Sequence, residues 1–171
     1  LTYASTEGPW NNPRGNGGIR LLNIADDSIT DITPEKNGYG DVDIDPANPD
    51  RMVAVTENVY DQQANGTFGD DFYVTTDGGK TWKNINLDMT MSGGDVSWHN
   101  ESSMHWCSSL AIDPHNTGKI MVVSGNGIFS CDNIWDEHPA FYFFAEGIEE
   151  TVPYELVSIP GGELVTGGWG F

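Results

Sequence analysis

Phe-Tyr-Val-Thr-Thr-Asp-Gly-Gly-Lys-Thr-Trp, residues 72–82, has the composition of a β-hairpin. Tyr73 and Val74 favour an extended strand, and the Asp-Gly-Gly that follows supplies the positive-φ positions of a tight turn. We expect the carboxylate of Asp77 to accept N–H groups of this turn while Trp82 packs beneath it, so Asp77 is structural rather than catalytic. The spacing is that of an Asp-box, whose defining positions are Thr75, Asp77, Gly79, Thr81 and Trp82.

The composition around this hairpin predicts one all-β domain. Of the 171 residues, 37% are hydrophobic and 11% aromatic, which is enough to form a core. The 21 Gly and nine Pro are scattered as turn residues, and no segment keeps the apolar period of an ordinary helix. Cys107 and Cys131 are too few to define a disulfide framework, and whether they pair stays open.

The charge narrows the choice of partner. Seven Lys and Arg stand against 26 Asp and Glu, a net charge of −19 that would repel nucleic acid and anionic membrane surfaces. No apolar run reaches the ~18–20 residues of a membrane span. A neutral polysaccharide is not repelled and so is compatible with this charge, although solubility is the favoured explanation of the charge itself.

A repeat indicates how the strands are grouped. Residues 44–55 and 112–123 lie 68 positions apart and share Ile-Asp-Pro, an Asn and a basic residue in register, and residues 155–165 echo them. With the Asp-box, the repeat predicts a β-propeller of about two and a half to three four-stranded blades. The expected blade bounds are approximately 1–36, 38–88, 104–146 and 152–171.

So few blades cannot close a ring of about 4–8. We therefore expect further blades from the same parent protein or from another chain. Because Leu1 starts in what resembles mid-strand, we also expect a mature product, an excised piece or a proteolytic fragment.

A series of motifs then points to one family. In chain order they are residues 38–49, 75–82, 110–114, 125–129, 147–152 (Gly-Ile-Glu-Glu-Thr-Val) and 156–162 (Leu-Val-Ser-Ile-Pro-Gly-Gly). Together they resemble glycoside hydrolase family 74, the xyloglucanases and related endo-β-1,4-glucanases. The resemblance implies seven-bladed propellers, a secreted endo-acting enzyme, and inversion by one catalytic Asp from each of two propellers. It implies no cofactor.

The same resemblance places the catalytic carboxylates. The upstream Asp of the family would lie before Leu1, and the second would fall in residues 164–171, which contain no carboxylate. Whether this chain catalyses hydrolysis alone is therefore open. The alternatives are a non-catalytic propeller that binds a glycan or protein, and a propeller hydrolase with relocated acids.

The remaining candidates are loop residues. Glu149 and Glu150 are weak catalytic candidates, because adjacent side chains on an extended strand point to opposite faces. Aromatic rings that could bind sugars are Trp98, Trp106, Trp169, Trp10 and Tyr60, with blade packing as the alternative interpretation of Trp106. His99 and His105 lack a third ligand, so no metal site is predicted.

Overall fold

A computed structural model describes residues 17–57, 69–94, 104–145 and 160–161, and the backbone of strands 2–5, 151–158 and 164–170. Every regular element within these ranges is a β-strand, which confirms the all-β prediction. The same ranges contain no helix long and apolar enough to cross a membrane.

Within the described parts of the chain, fourteen strands follow one another. They are β1 Thr2–Ser5, β2 Gly18–Asn23, β3 Ser28–Asp31, β4 Tyr39–Ile44, β5 Met52–Thr56, β6 Phe72–Thr75, β7 Lys83–Asn84, β8 Thr90–Ser92, β9 Ser109–Ile112, β10 Ile120–Ser124, β11 Gly127–Cys131, β12 Ala140–Phe143, β13 Thr151–Ser158 and β14 Leu164–Gly170.

The strands form four successive sheets. Sheet 1 has the order β1-β2-β3, sheet 2 the order β4-β5-β6-β7, and sheet 4 pairs β13 with β14. Sheet 3 has the order β8-β12-β11-β10-β9, in which β8 joins the outer edge parallel to β12. The other described pairings are antiparallel, so apart from β8 each sheet is a meander of strands consecutive in sequence.

The repeated Ile-Asp-Pro motif builds the same turn twice. The N–H of Asp45 donates to the carbonyl of Arg51 at 2.9 Å, and the N–H of Asp113 donates to that of Lys119 at 2.9 Å. Each Asp carboxylate also accepts the N–H two residues further on, at 2.8 Å in both turns. The two carboxylates therefore stabilise the turns between β4 and β5 and between β9 and β10.

Two apolar layers hold the sheets together. On β5, Met52 and Ala54 face sheet 1 while Val53 and Val55 face sheet 3, so this strand is buried on both sides. That explains its uninterrupted apolar sequence. Phe72 packs on Phe141 across the junction of sheets 2 and 3, with ring centroids 5.4 Å apart.

Carboxylates complete the junction between sheets 2 and 3. Strands β4 and β9 lie side by side, and the Oδ2 of Asp41 accepts the N–H of Leu110 at 2.9 Å. The Oδ2 of Asp43 accepts the N–H of Ile112 at 2.8 Å. Because the two contacts advance together along both strands, β4 and β9 run in the same direction. Both strands therefore begin on one face of the molecule and end on the other.

A candidate binding face at the start of the inner strands

We call the side on which β4 and β9 begin face A, and the side on which they end face B. Face A carries residues 38–40, Glu57, 69–71, 104–108 and 124–127, which contact one another. Face B carries the two Ile-Asp-Pro turns and the Asp-box turn, which the N–H of Gly78 ties to the carbonyl of Asp50 at 2.9 Å.

Trp106 is a large exposed aromatic residue on face A, in the segment that leads into strand β9. The residue is 39% exposed, although its indole lies against the turn between β10 and β11. A Cβ at Gly125 would lie 2.4 Å from Cε3 of the indole, so only glycine allows this approach. His105 meets the same ring edge-on, with centroids 5.1 Å apart. Trp106 is thus partly packed and partly available to a ligand.

The backbone that carries Trp106 is fixed on both sides. Its φ of 56° lies in the left-handed region, which is unfavourable for a bulky side chain and requires support from its surroundings. The carbonyl of His105 accepts the N–H of Gly125 at 2.8 Å. The N–H of Cys107 donates to the buried carboxylate of Asp70 at 2.9 Å. Trp106 is therefore held rigidly.

Glu57, His105 and Cys107 are among the face-A groups whose pKa is perturbed. Partial burial raises the pKa of the Glu57 carboxyl and lowers that of the His105 imidazole. Burial, followed by the negative charge of Asp70, raises the pKa of the Cys107 thiol well above its usual range. Cys107 and Cys131 are both buried free thiols, so they do not pair and Cys107 is not a nucleophile.

Asp77 lies on face B, away from Trp106. Its Oδ2 accepts the Thr81 hydroxyl at 2.6 Å, and its Oδ1 accepts the Thr81 N–H at 2.9 Å and the Thr75 hydroxyl at 2.8 Å. Hydrogen bonds from Thr81 and then Thr75 lower the pKa of Asp77 to about 2. The half-buried Trp82 donates its indole N–H to the carbonyl of Ile32 at 2.7 Å, which ties sheet 2 to sheet 1.

Several sequence candidates fall outside the described residues. These are Trp98, Trp10, Tyr60, Glu149 and Glu150. Trp169 lies on β14 opposite Val152, and only the backbone of that strand is described. Trp106 is therefore the one predicted sugar-binding residue whose side chain the described ranges place.

Sequence reasoning gave no binding or catalytic role to Phe144, Asp41 or Asp43, and the loop position of Asp70 predicted a solvated carboxylate, whereas the structure buries it. Phe144 follows β12 on face A and is 52% exposed. The carboxylates are used in contacts between distant segments, for which the only local signal is the alternation of Asp41 and Asp43 on an inner strand. In the described part of the chain, no three His, Cys, Asp or Glu side chains are grouped to hold a metal ion.

Successive antiparallel sheets with neighbouring inner strands and repeated turns are the blades of a β-propeller. Comparison with solved structures gives the same class. A glycoside hydrolase family 74 enzyme of Niastella koreensis is 35% identical, with a TM-score of 0.74, over 96% of this chain and 25% of that one. The family 74 xyloglucanase of Xanthomonas campestris is 27% identical, with a TM-score of 0.65, over 89% and 22%.

Curated sequences agree. An oligoxyloglucan-reducing end-specific xyloglucanase of Emericella nidulans is 25% identical over 98% of this chain and 27% of its own length. A xyloglucanase of Acetivibrio thermocellus is 28% identical over 95% and 22%. No protein-family model matches the chain. The chain is thus similar in sequence and fold to one segment of glycoside hydrolase family 74 enzymes, and it spans about a quarter of their length.

Proposed function

We propose that this chain supplies blades to a secreted glycoside hydrolase that cleaves xyloglucan or a related β-1,4-glucan internally, and that face A lines its cleft. The relatives are named as xyloglucanases, which supports this substrate class. Further blades come from the same parent protein or from another chain. The net charge of −19 presents no barrier to a neutral glycan.

The observation that carries the proposal is the rigid, partly exposed Trp106. An indole offers an apolar face to the C–H groups of a sugar ring and an N–H to a hydroxyl. A ring already fixed by its backbone loses little entropy when a ligand packs on it. Phe144, which follows β12 nearer the outer edge of sheet 3, is a second exposed aromatic residue on the same face.

Hydrolysis with inversion needs an acid and a base about 6.5–9.5 Å apart, with a water between the base and the sugar. Of the described face-A carboxylates, Asp70 accepts two hydrogen bonds and is buried, so it is unavailable to a substrate. We therefore assign the catalytic pair of the complete enzyme to acids other than Asp70. Within this chain, Trp106 has a binding role.

A second candidate function is a propeller that binds a glycan without cleaving it. It is favoured by residues 164–171, Leu-Val-Thr-Gly-Gly-Trp-Gly-Phe, where the resemblance to the family implies a catalytic Asp and the sequence contains no carboxylate. Reducing-sugar release from xyloglucan separates the two functions, because binding without release favours the non-catalytic propeller.

The test of face A is Trp106→Ala, with binding of a xyloglucan oligosaccharide measured by calorimetry. Truncating a central aromatic contact should weaken binding by about 2 kcal/mol, roughly 30-fold. Trp135→Phe is the matched control, because Trp135 lies on face B beneath Arg51, whose guanidinium carbon is 5.3 Å from the ring centroid. Equal affinities of the two variants would refute the assignment of face A.

A further inference from the structure

Asp70 is a buried carboxylate that binds the segment carrying Trp106 and also bonds to Thr56 and Asn86. The side chain is 1% exposed. Its Oδ1 accepts the Thr56 hydroxyl at 3.0 Å, and its Oδ2 accepts the N–H of Cys107 at 2.9 Å. A buried carboxylate is costly unless such bonds are made, so the arrangement is a built feature of the fold.

The backbone of Asp70 extends the same contact. Its N–H donates to the carbonyl of Met104 at 2.8 Å, and its carbonyl accepts the side-chain amide of Asn86 at 2.8 Å. Asp70 therefore grips residues 104 and 107, the two ends of a four-residue segment. Trp106 lies inside that segment, in its left-handed conformation.

Gly40 closes the opposite side of the segment. A Cβ at this position would lie 2.0 Å from the carbonyl oxygen of Cys107. With the Cys107 N–H bound by Asp70 and its carbonyl against Gly40, the peptide groups on either side of Cys107 have little freedom to turn. Any rotation there would swing the indole of the preceding residue.

We propose that Asp70 is a positioning residue. From its buried place on face A, it sets the orientation in which the Trp106 indole meets a β-1,4-glucan. This inference rests on the proposed binding role of Trp106. Asp70 does not touch the glycan; it acts through the N–H of Cys107. Its contribution to glycan binding therefore depends on the presence of the Trp106 ring.

The test is a double-mutant cycle between Asp70→Ala and Trp106→Ala, with the dissociation constant for a xyloglucan oligosaccharide measured by calorimetry. Asp70→Ala should weaken binding about tenfold in the protein that retains Trp106 and have no effect in the Trp106→Ala background. Asp70→Asn is the conservative control. Its amide oxygen can accept the Cys107 N–H while its amide nitrogen donates to Thr56, so affinity should stay within about twofold.

The outcomes separate this inference from the proposed function. If Trp106→Ala leaves affinity unchanged, the binding role of Trp106 fails and the inference fails with it. If Trp106→Ala weakens binding but Asp70→Ala does not, or if Asp70→Ala weakens it equally in both backgrounds, only the positioning role is overturned. A stability loss alone would appear in the unfolding midpoint and would not vanish in the Trp106→Ala background.

Should Asp70→Ala fail to fold, Thr56→Val replaces it in the cycle. That variant removes the hydroxyl donor to Oδ1 and leaves the carboxylate in place. Thr56→Ser keeps the hydroxyl and serves as its control. Weaker binding by the valine variant than by the serine variant supports the inference, and equal binding overturns it.

Discussion

Replacing Asp43 with asparagine should loosen the contact between sheets 2 and 3. The carboxylate bridges two backbone groups, since Oδ1 accepts the N–H of Ile44 at 2.9 Å and Oδ2 accepts that of Ile112 at 2.8 Å. Asparagine offers a single acceptor oxygen, so one of these N–H groups would face an amide NH₂. Either the hydrogen bond to Ile112 in the neighbouring sheet or the one to Ile44 within β4 must therefore be lost.

The structure sets the size of the effect. Leaving a buried donor unsatisfied costs about 1–3 kcal/mol, and the half-buried position of Asp43 favours the lower part, about 1–2 kcal/mol. For a chain of this length that corresponds to a fall in Tm of roughly 2–8 °C. The amide of Ile112 should also exchange with solvent faster, because its acceptor lies in the neighbouring sheet.

Urea unfolding and hydrogen exchange test this directly. Asp136→Asn is the matched control, since it removes one negative charge from an exposed side chain on face B. A surface change of this kind should stay within about 0.5 kcal/mol. If the Asp43 and Asp136 variants unfold at the same urea concentration and the Ile112 amide stays equally protected, the carboxylate does not hold the two sheets.

Three further predictions concern pH and packing. Hydrogen bonds in the turn lower the pKa of Asp77 to about 2 from 3.8, so its contribution to stability is present above pH 3.8 and is lost as the pH falls toward 2. In Asp77→Asn the urea midpoint should therefore depend less on pH between 3.8 and 2. A pH dependence equal to that of the unmodified protein would contradict this. Burial lowers the pKa of His105 below 6.5, so its contribution is present above pH 6.5 and is lost as the pH falls through that value. His105→Gln should remove this loss of stability at low pH and any pH dependence of the Trp106 fluorescence. Replacing the exposed His115 with Gln should change neither measurement. Gly125→Ala should displace the indole of Trp106 and cost about 1–3 kcal/mol, and a wild-type emission spectrum and midpoint would disprove the contact.

Local chemistry explains why much of the fold could be predicted. The Ile-Asp-Pro turns and the buried strand β5 can each be predicted from about ten consecutive residues, because turn type and strand burial depend on neighbouring positions. Strand β8 was not predicted, since Thr90–Ser92, although alternating polar and apolar, is only three residues long. They pair with β12, about 50 residues further along the chain, and only the tertiary structure creates that edge.

The candidate site was harder to predict for a related reason. The sequence left Trp106 between packing and binding; the structure shows packing against Gly125 with 39% of the residue exposed, and the binding role stays a prediction. The residue after its left-handed backbone, Cys107, donates its N–H to Asp70, which lies 37 positions earlier. No spacing rule links residues so far apart. The motifs identify a propeller and its family resemblance, but they do not indicate which carboxylates accept hydrogen bonds from distant parts of the fold.

The hydrogen bonds that these carboxylates accept change how the many acidic residues of the chain should be interpreted. Asp41, Asp43, Asp45, Asp70, Asp77 and Asp113 each accept backbone N–H groups. A carboxylate so engaged has fewer lone pairs free for a sugar or water, so it is a poor general acid. Glu57 lies on the same face as Trp106, and partial burial raises the pKa of its carboxyl. An abundance of aspartate therefore argues for turn and blade construction, and a search for the acid of the proposed hydrolase should begin among carboxyls whose oxygens do not accept backbone N–H groups.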